Sequence, residues 1–180
     1  MSSSTRKLGT EHQEQRTATP PDVLTAAVLT VSDSCARGER EDRSGPAVVE
    51  VLIRNNFRVV ATEVVPDERL AISNALALLS EEARLVVSTG GTGVALRDVT
   101  PEATRAVCDR LLEGVPERMR AEGAKQTPFA ALSRGVCGVR GKAIVLNVPG
   151  SPKGAAESLE SIIGLIPHAL RLLDGNTRHD

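Results

Sequence analysis

In one stretch of the chain a short apolar strand runs directly into a glycine-rich loop: Leu85-Val86-Val87-Ser88-Thr89-Gly90-Gly91-Thr92-Gly93. Residues 85–88 are apolar and β-branched, as in a buried strand. The glycines can adopt positive φ and let backbone N–H groups approach a ligand that a Cβ would exclude. The stretch predicts an α/β fold in which a strand delivers a loop suited to phosphate, although a tight structural turn explains the same spacing equally well.

The residues after the loop favour the phosphate interpretation. Thr100 is predicted to cap a helix with Pro101 at its first position, so that free N–H groups point back toward the loop. Asp98 and Glu102 add carboxylates, which suit a phosphate that arrives with a divalent metal. The loop matches neither a Walker loop, which ends in Gly-Lys-Ser/Thr, nor a dinucleotide fingerprint, because Leu96 stands where a third glycine is needed.

The composition limits the class of protein. The 180 residues are 41% hydrophobic and 25% charged, which predicts a single folded domain. The net charge of -1 gives no reason to expect a nucleic-acid or membrane partner. Because the chain has neither a long apolar run nor a signal-peptide pattern, we expect a cytoplasmic protein.

The cysteines and histidines exclude several chemistries. The three cysteines form no Cys-x-x-Cys pair, which disfavours both a disulfide framework and structural zinc. Cys35 follows the first predicted strand, where either an inert filler or a reactive thiol fits. The three histidines lie in the predicted tails and the last predicted helix, so none is placed as a catalytic base.

The chain is predicted to contain one domain, residues 23–175, between a disordered tail at 1–22 and a short tail at 176–180. Strands are predicted at 25–32, 57–65, 85–88 and 142–148. The predicted helices begin at Ser44 and after Glu68, and further helices cover 100–112, 115–126 and 151–173, with 127–140 irregular and Pro167 dividing the last helix.

Apolar strands that alternate with helices predict a mainly parallel sheet covered on both faces. Ligands of such sheets bind beyond the carboxyl ends of the strands, which here are followed by loops after Ser32, Ser88 and Val148. Asp33 is therefore predicted to face a ligand, whereas Asp67 is by default a helix cap.

The loop after Val148 repeats the pattern of the glycine loop. Ser151 is predicted to cap a helix that starts with Pro152. Lys153 in the first turn interacts unfavourably with the helix dipole, and a bound anion would make the interaction of Lys153 favourable. A solvated lysine and a phosphate partner remain equally open for Lys153.

Several motifs in a fixed order resemble one known family. They are Val31-Ser32-Asp33, Asp42-Arg43-Ser44-Gly45-Pro46, Val65-Pro66-Asp67-Glu68, Thr89-Gly90-Gly91-Thr92-Gly93, Arg97-Asp98-Val99-Thr100-Pro101-Glu102-Ala103, Leu132-Ser133-Arg134 and Asn147-Val148-Pro149-Gly150-Ser151-Pro152-Lys153. Over residues 25–175 the chain is similar to the Mog and MoaB family of molybdenum-cofactor biosynthesis, which includes the gephyrin G domain.

The resemblance implies a three-layer α/β sandwich of the molybdopterin-binding type and a homotrimer. It also implies an adenylyltransferase that uses ATP, molybdopterin and Mg²⁺ and acts before molybdate insertion. Asp67 and Asp98 match the family's critical aspartates. The resemblance therefore implies a functional role for Asp67 in place of the helix cap expected by default. Candidate Mg²⁺ ligands are Asp98 and Asp67, with Asp33 and Glu102. The predicted substrate and nucleotide contacts are Ser32, Asp33, Gly90, Gly91, Thr92, Gly93, Glu102, Ser133, Arg134, Pro149, Gly150, Ser151 and Lys153.

Two further expectations concern partners and an alternative function. The molybdate-insertion enzyme of the same pathway is an expected partner. The alternative function is a molybdopterin-binding module or scaffold that does not transfer AMP. Because both functions are compatible with the same fold, the retained Asp67 and Asp98 are what favours the enzyme.

Overall fold

The computed structural model describes residues 23–175, and its strands form one six-stranded sheet. The strands are β1 Thr25–Val31, β2 Arg58–Val65, β3 Leu85–Thr89, β4 Arg110–Leu111, β5 Cys137–Arg140 and β6 Ala143–Val148. Their order across the sheet is β2-β1-β3-β6-β5-β4. The first four strands are parallel, β5 is antiparallel to β6, and β4 is antiparallel to β5. The predicted tails at 1–22 and 176–180 lie outside the described residues.

In the described part of the chain, seven α-helices pack around this sheet. They are α1 Asp33–Ala36, α2 Ser44–Arg54, α3 Arg69–Glu82, α4 Thr100–Val107, α5 Gly114–Ala124, α6 Pro152–Glu160 and α7 Ile166–Leu173. Short 3₁₀ helices occupy Pro128–Leu132 and Ile163–Leu165. Within residues 23–175, no helix combines the length and the apolar character that crossing a bilayer requires.

The two faces of the sheet bury separate hydrophobic clusters, because alternate strand residues point to opposite sides. Val28 and Leu146 pack with residues of α2, α6 and α7 on one face. Leu29 and Val145 pack with residues of α3 and α4 on the other. Each of these four side chains is at most 1% exposed, and burying a Val or Leu contributes about 1.5–3 kcal/mol. The predicted three-layer α/β sandwich is confirmed.

The segment between α4 and β6 is where the predicted elements are wrong. The predicted helix 100–112 ends at Val107, and Arg110–Leu111 forms β4. The predicted irregular segment 127–140 contains a 3₁₀ helix and β5. A two-residue strand is too short to show a period, and Gly138 interrupts the apolar pattern of β5. A Cβ at Gly138 would lie 2.6 Å from Cys108 Sγ, so the glycine permits close packing there.

Two smaller differences and one confirmation concern helix starts. The predicted loop after Ser32 begins with the short helix α1, which Ser32 caps by accepting from the N–H of Cys35. Thr100 is the first residue of α4 and not its cap, and its hydroxyl donates to the Gly90 carbonyl. The predicted division of the last helix is confirmed, with Pro167 in the first turn of α7, where a missing N–H costs nothing.

Candidate active site

The three predicted loops meet at the carboxyl ends of β1, β3 and β6, as the parallel topology requires. The β3 and β6 loops are joined directly, since the Gly90 N–H donates to the Val148 carbonyl at 3.3 Å and the Thr89 hydroxyl donates to the Pro149 carbonyl at 2.7 Å. The end of β1 reaches the same place, since a Cβ at Gly90 would overlap the Val31 carbonyl, and the Ser32 N–H donates to the Val65 carbonyl at the end of β2.

The glycines after β3 form a turn that admits no side chains. Gly90 and Gly91 have φ of 101° and 62°, a region that favours glycine. A Cβ at Gly90 would overlap the Val31 carbonyl, and one at Gly91 would overlap the Thr100 hydroxyl. A Cβ at Gly150 would lie 3.1 Å from the Gly90 Cα, so the two loop backbones pack against each other. The fold itself therefore requires glycine at 90 and 91.

One side of this turn opens into a cavity of about 740 Å³. Seven predicted contact residues line it, namely Gly91, Thr92, Gly93, Ser133, Pro149, Gly150 and Ser151, and so does Asp98, a predicted catalytic residue. The rest of the lining comes from α5, the following 3₁₀ helix and α6, and it includes Gln126 between the first two and Phe129 in the 3₁₀ helix. Ser151 also caps α6, accepting from the N–H of Gly154, so its predicted cap is confirmed.

Asp67 and Asp98 lie on either side of the glycine turn. The position of a Gly91 Cβ is 3.2 Å from Asp67 Oδ1, and that of a Gly93 Cβ is 2.8 Å from Asp98 Oδ2. Asp98 Oδ2 accepts from the Ala95 N–H, whereas Asp67 Oδ2 accepts from the Asp33 N–H. Burial raises the pKa of Asp67, and the carboxylates of Asp33 and Asp98 add to the rise. A cation between these carboxylates would offset that repulsion.

The other two predicted metal ligands are held in ion pairs. Asp33 accepts from the Arg97 guanidinium at 2.6 Å and 2.7 Å, and this contact lowers the pKa of Asp33. Glu102 pairs with Arg134 at 2.5 Å, and the pair holds the pKa of Glu102 below its usual value although burial opposes the shift. Among residues 23–175, no three His, Cys, Asp or Glu side chains are grouped as a metal site.

A divalent ion still fits the two remaining aspartates. Mg²⁺ is commonly held by one or two carboxylates together with phosphate oxygens and water, not by a complete protein cage. Asp67 and Asp98 would supply those carboxylates beside a turn that can receive a phosphate. The structure does not bring all four predicted ligands together.

The remaining predicted contacts lie outside the cavity lining. Lys153 is exposed and pairs with Glu157 at 3.8 Å, as a solvated lysine does. Ser32 caps α1, Gly90 packs against the β6 loop, and Arg134 donates to backbone carbonyls of the segment after β3.

Sequence reasoning assigned no role to two residues that shape the site. Phe129 is one of two phenylalanines, is 74% exposed and lines the cavity, yet the short run of apolar residues at 128–132 carries no periodic signal. Asn147 is fully buried and donates to Ser88 and Thr104 while accepting from the Val136 N–H, which ties β3, α4 and β6 together. A polar residue inside an apolar strand was the available signal for Asn147.

A glycine turn at the carboxyl ends of parallel strands, beside carboxylates, is typical of α/β proteins that bind phosphate esters. The fold and the site have the form of that class of protein. A family model described as "Probable molybdopterin binding domain" matches residues 27–168. The chain belongs to this family.

Proteins similar to this chain carry names that fit the same family. The molybdopterin adenylyltransferase of Helicobacter pylori strain J99 is 44% identical over 153 residues, covering 83% of this chain and 87% of that protein. The enzyme of the same name from Escherichia coli K12 is 37% identical and covers 86% and 87%. The crystal structure of the molybdopterin biosynthesis enzyme MoaB from Thermus thermophilus is 51% identical, with a TM-score of 0.80 over 84% of this chain and 97% of that one.

Proposed function

We propose that the chain is a molybdopterin adenylyltransferase, which transfers AMP from ATP to the terminal phosphate of molybdopterin in molybdenum-cofactor biosynthesis. The observation that carries the proposal is the cavity of about 740 Å³ with Gly91–Gly93 on one side and Asp98 at its edge. A volume of this size suits a ligand with a fused ring and a phosphate. The relatives' names support the same reaction.

The reaction balances without a side-chain nucleophile. An oxygen of the molybdopterin phosphate attacks the α-phosphorus of ATP and forms a phosphoanhydride bond. The bond between the α-phosphorus and the oxygen bridging to the β-phosphorus breaks, and pyrophosphate leaves with that electron pair. Because a phosphate monoester has a second pKa of about 6, it is mostly dianionic at pH 7 and needs no general base.

Catalysis then consists of alignment and charge neutralisation. Backbone N–H groups of the Gly91–Gly93 turn and the Ser151 hydroxyl would orient phosphate oxygens, since these residues line the cavity. Asp67 and Asp98 would hold Mg²⁺, which supplies positive charge against the repulsion between two phosphates. Within residues 23–175, the lining of this cavity includes no histidine, which is consistent with this mechanism.

The direct test combines purified protein, ATP, Mg²⁺ and molybdopterin and measures pyrophosphate release together with adenylyl-molybdopterin by mass spectrometry. We expect one pyrophosphate per adenylyl-molybdopterin formed and none when molybdopterin is omitted. Molybdopterin binding without pyrophosphate release would refute the enzyme and support the alternative, a binding module or scaffold.

The proposal extends to assembly and location. Val60 and Val64 on the edge strand β2, and Ile53 on the adjoining helix α2, are 36%, 44% and 59% exposed. An exposed apolar edge of this kind suits a subunit contact, and a closed homotrimer is the proposed assembly.

Use of ATP as substrate supports a cytoplasmic location. The product would pass to a molybdate-insertion enzyme, which is the proposed partner.

A further inference from the structure

We infer that Arg134 is a positioning residue, which holds the segment carrying Asp98 in place and does not contact the substrate phosphates. The inference rests on the proposed adenylyl transfer, since it concerns how Asp98 is presented to that reaction. It assigns to Arg134 a role different from the substrate contact that its place in the motif suggests.

The guanidinium of Arg134 bridges the two ends of one short segment. Its Nε donates to the Gly93 carbonyl at 2.6 Å, and one terminal nitrogen donates to the Asp98 carbonyl at 2.5 Å. The backbone N–H of Arg134 also donates to the Thr92 carbonyl at 2.9 Å. Residues 93–98 are therefore closed into a loop by a single side chain.

The third nitrogen of the guanidinium fixes its orientation. It donates to Glu102 Oε1 at 2.5 Å, and Glu102 lies in the first turn of α4. All three nitrogens of Arg134 thus donate to protein acceptors, and Arg134 is not among the residues that line the cavity. A planar guanidinium can meet three acceptors at fixed angles, which the ammonium group of lysine cannot reproduce.

Little else restrains this segment. Leu96 at its tip is fully exposed, and Val94 is 70% exposed, so neither packs against the core. The Arg97–Asp33 pair on the outer side involves an arginine that is 61% exposed, and such pairs contribute little. The Arg134 side chain is 38% exposed, so its bonds are better shielded from water.

The shape of the segment determines where the Asp98 carboxylate lies. Asp98 Oδ2 accepts from the Ala95 N–H at 2.8 Å, and the Asp98 N–H donates to the Ala95 carbonyl at 3.0 Å. Both partners belong to the loop that Arg134 closes. If the loop opened, the carboxylate would move with it, and displacing a catalytic group by about 1 Å can cost about 100-fold in rate.

The test compares Arg134→Lys with a matched control, Arg140→Lys. Arg140 donates to the Val107 carbonyl at 3.0 Å, at the opposite end of the same helix α4. We expect Arg134→Lys to lower kcat at least 10-fold with KM for ATP and molybdopterin changed less than threefold. Arg140→Lys should change neither. A rise in KM with kcat preserved would show a direct substrate contact and overturn the inference.

A double-mutant cycle separates positioning from general damage. If Arg134 acts through Asp98, then adding Arg134→Lys to Asp98→Asn should lower the rate less than twofold further. Multiplicative effects of the two changes would overturn the inference.

Hydrogen exchange provides a readout that needs no substrate. The amides of Ala95 and Asp98 should exchange at least 10-fold faster in Arg134→Lys than in Arg140→Lys or the parent protein. Unchanged exchange would refute the positioning role of Arg134. Faster exchange in Arg134→Lys, in a protein that releases no pyrophosphate, would refute only the proposed function.

Discussion

Asp33 and Asp67 each accept a hydrogen bond from the other's backbone N–H, at 2.8 Å to Asp67 Oδ2 and 3.0 Å to Asp33 Oδ1. This reciprocal pair joins the start of α1 to the turn before α3, although the two residues are 34 positions apart. It also leaves Asp67 Oδ1 directed toward Gly91. Asp67 is therefore held in place by backbone contacts that an asparagine side chain oxygen could also make.

We expect Asp67→Asn to lose activity while gaining stability at neutral pH. Removing the charge should lower adenylyl transfer about 100-fold, as expected for a lost transition-state contact. Burial raises the pKa of Asp67, so its ionised form is disfavoured in the folded state. The wild-type protein therefore carries a cost at pH 7 that disappears as pH falls below the ordinary aspartate pKa of about 4.

Thermal melting at several pH values checks the Asp67 prediction. Tm of Asp67→Asn should exceed that of the wild type at pH 7, and the difference should shrink toward pH 4. A variant that melts lower at every pH would show that Asp67 serves the fold instead.

Asp98→Asn is expected to fold normally and bind molybdopterin, yet to transfer AMP about 100-fold more slowly. Asp109→Asn is a matched control, because Asp109 Oδ2 accepts from the Gly141 N–H at 2.7 Å, much as Asp98 Oδ2 accepts from the Ala95 N–H. Steady-state rates should separate the two. Equal losses in both variants would remove Asp98 from catalysis.

Gly91→Ala is expected to weaken both stability and ligand binding. Its φ of 62° disfavours alanine, and the added Cβ would overlap the Thr100 hydroxyl. Gly141→Ala is the control, since Gly141 has φ of 55° but no neighbour within 4 Å of a built Cβ. The control should lose only about 1 kcal/mol from backbone strain. Urea unfolding and calorimetric binding should show a larger loss at Gly91 in both measurements.

Only one of the three cysteines is expected to react with a disulfide reagent in the native protein. Burial raises the pKa of Cys108 to about 11 and that of Cys137 to about 12, which keeps both as thiols at pH 8. Cys35 is half-buried within α1. Titration should give one thiol per folded chain and three in denaturant. Two fast-reacting thiols would contradict the burial of Cys108.

The proposed homotrimer predicts a solution mass about three times the 19.0 kDa of one chain. If β2 is in the interface, Val60→Lys should lower that mass at micromolar concentration, because it places a charge on the exposed edge. Light scattering measures both proteins. A wild-type mass of 19.0 kDa would refute the trimer and leave the proposed reaction intact.

Local pattern was sufficient to predict the strands that build the site. β1, β3 and β6 are continuous apolar runs ended by polar loops, so their periodicity and their meeting point follow from the sequence. β4 has only two residues, and its existence depends on pairing with β5, which local sequence does not encode. Long-range pairing therefore explains the missed elements.

The same distinction applies to the candidate site. The glycine turn could be predicted from residue type alone, whereas the ion pairs could not. Asp33 meets an arginine 64 positions later, and Glu102 meets one 32 positions later, so both looked like free carboxylates in the sequence. For Lys153 the sequence left a solvated lysine and a phosphate partner equally open, and its ion-pair partner Glu157 lies only four positions later on the same helix.

The contact between Gly90 and Gly150 has a mechanical consequence. Two backbones that touch, with two hydrogen bonds joining their loops, make a stiff floor for the cavity. The rest of the lining comes from the eleven-residue helix α5, the 3₁₀ segment that follows it and α6, and Phe129 of the 3₁₀ segment is largely exposed. Any widening that admits a ligand must then come from these helical parts of the lining. Structures with different ligands should superpose closely at Gly90 and Gly150 and differ around Phe129.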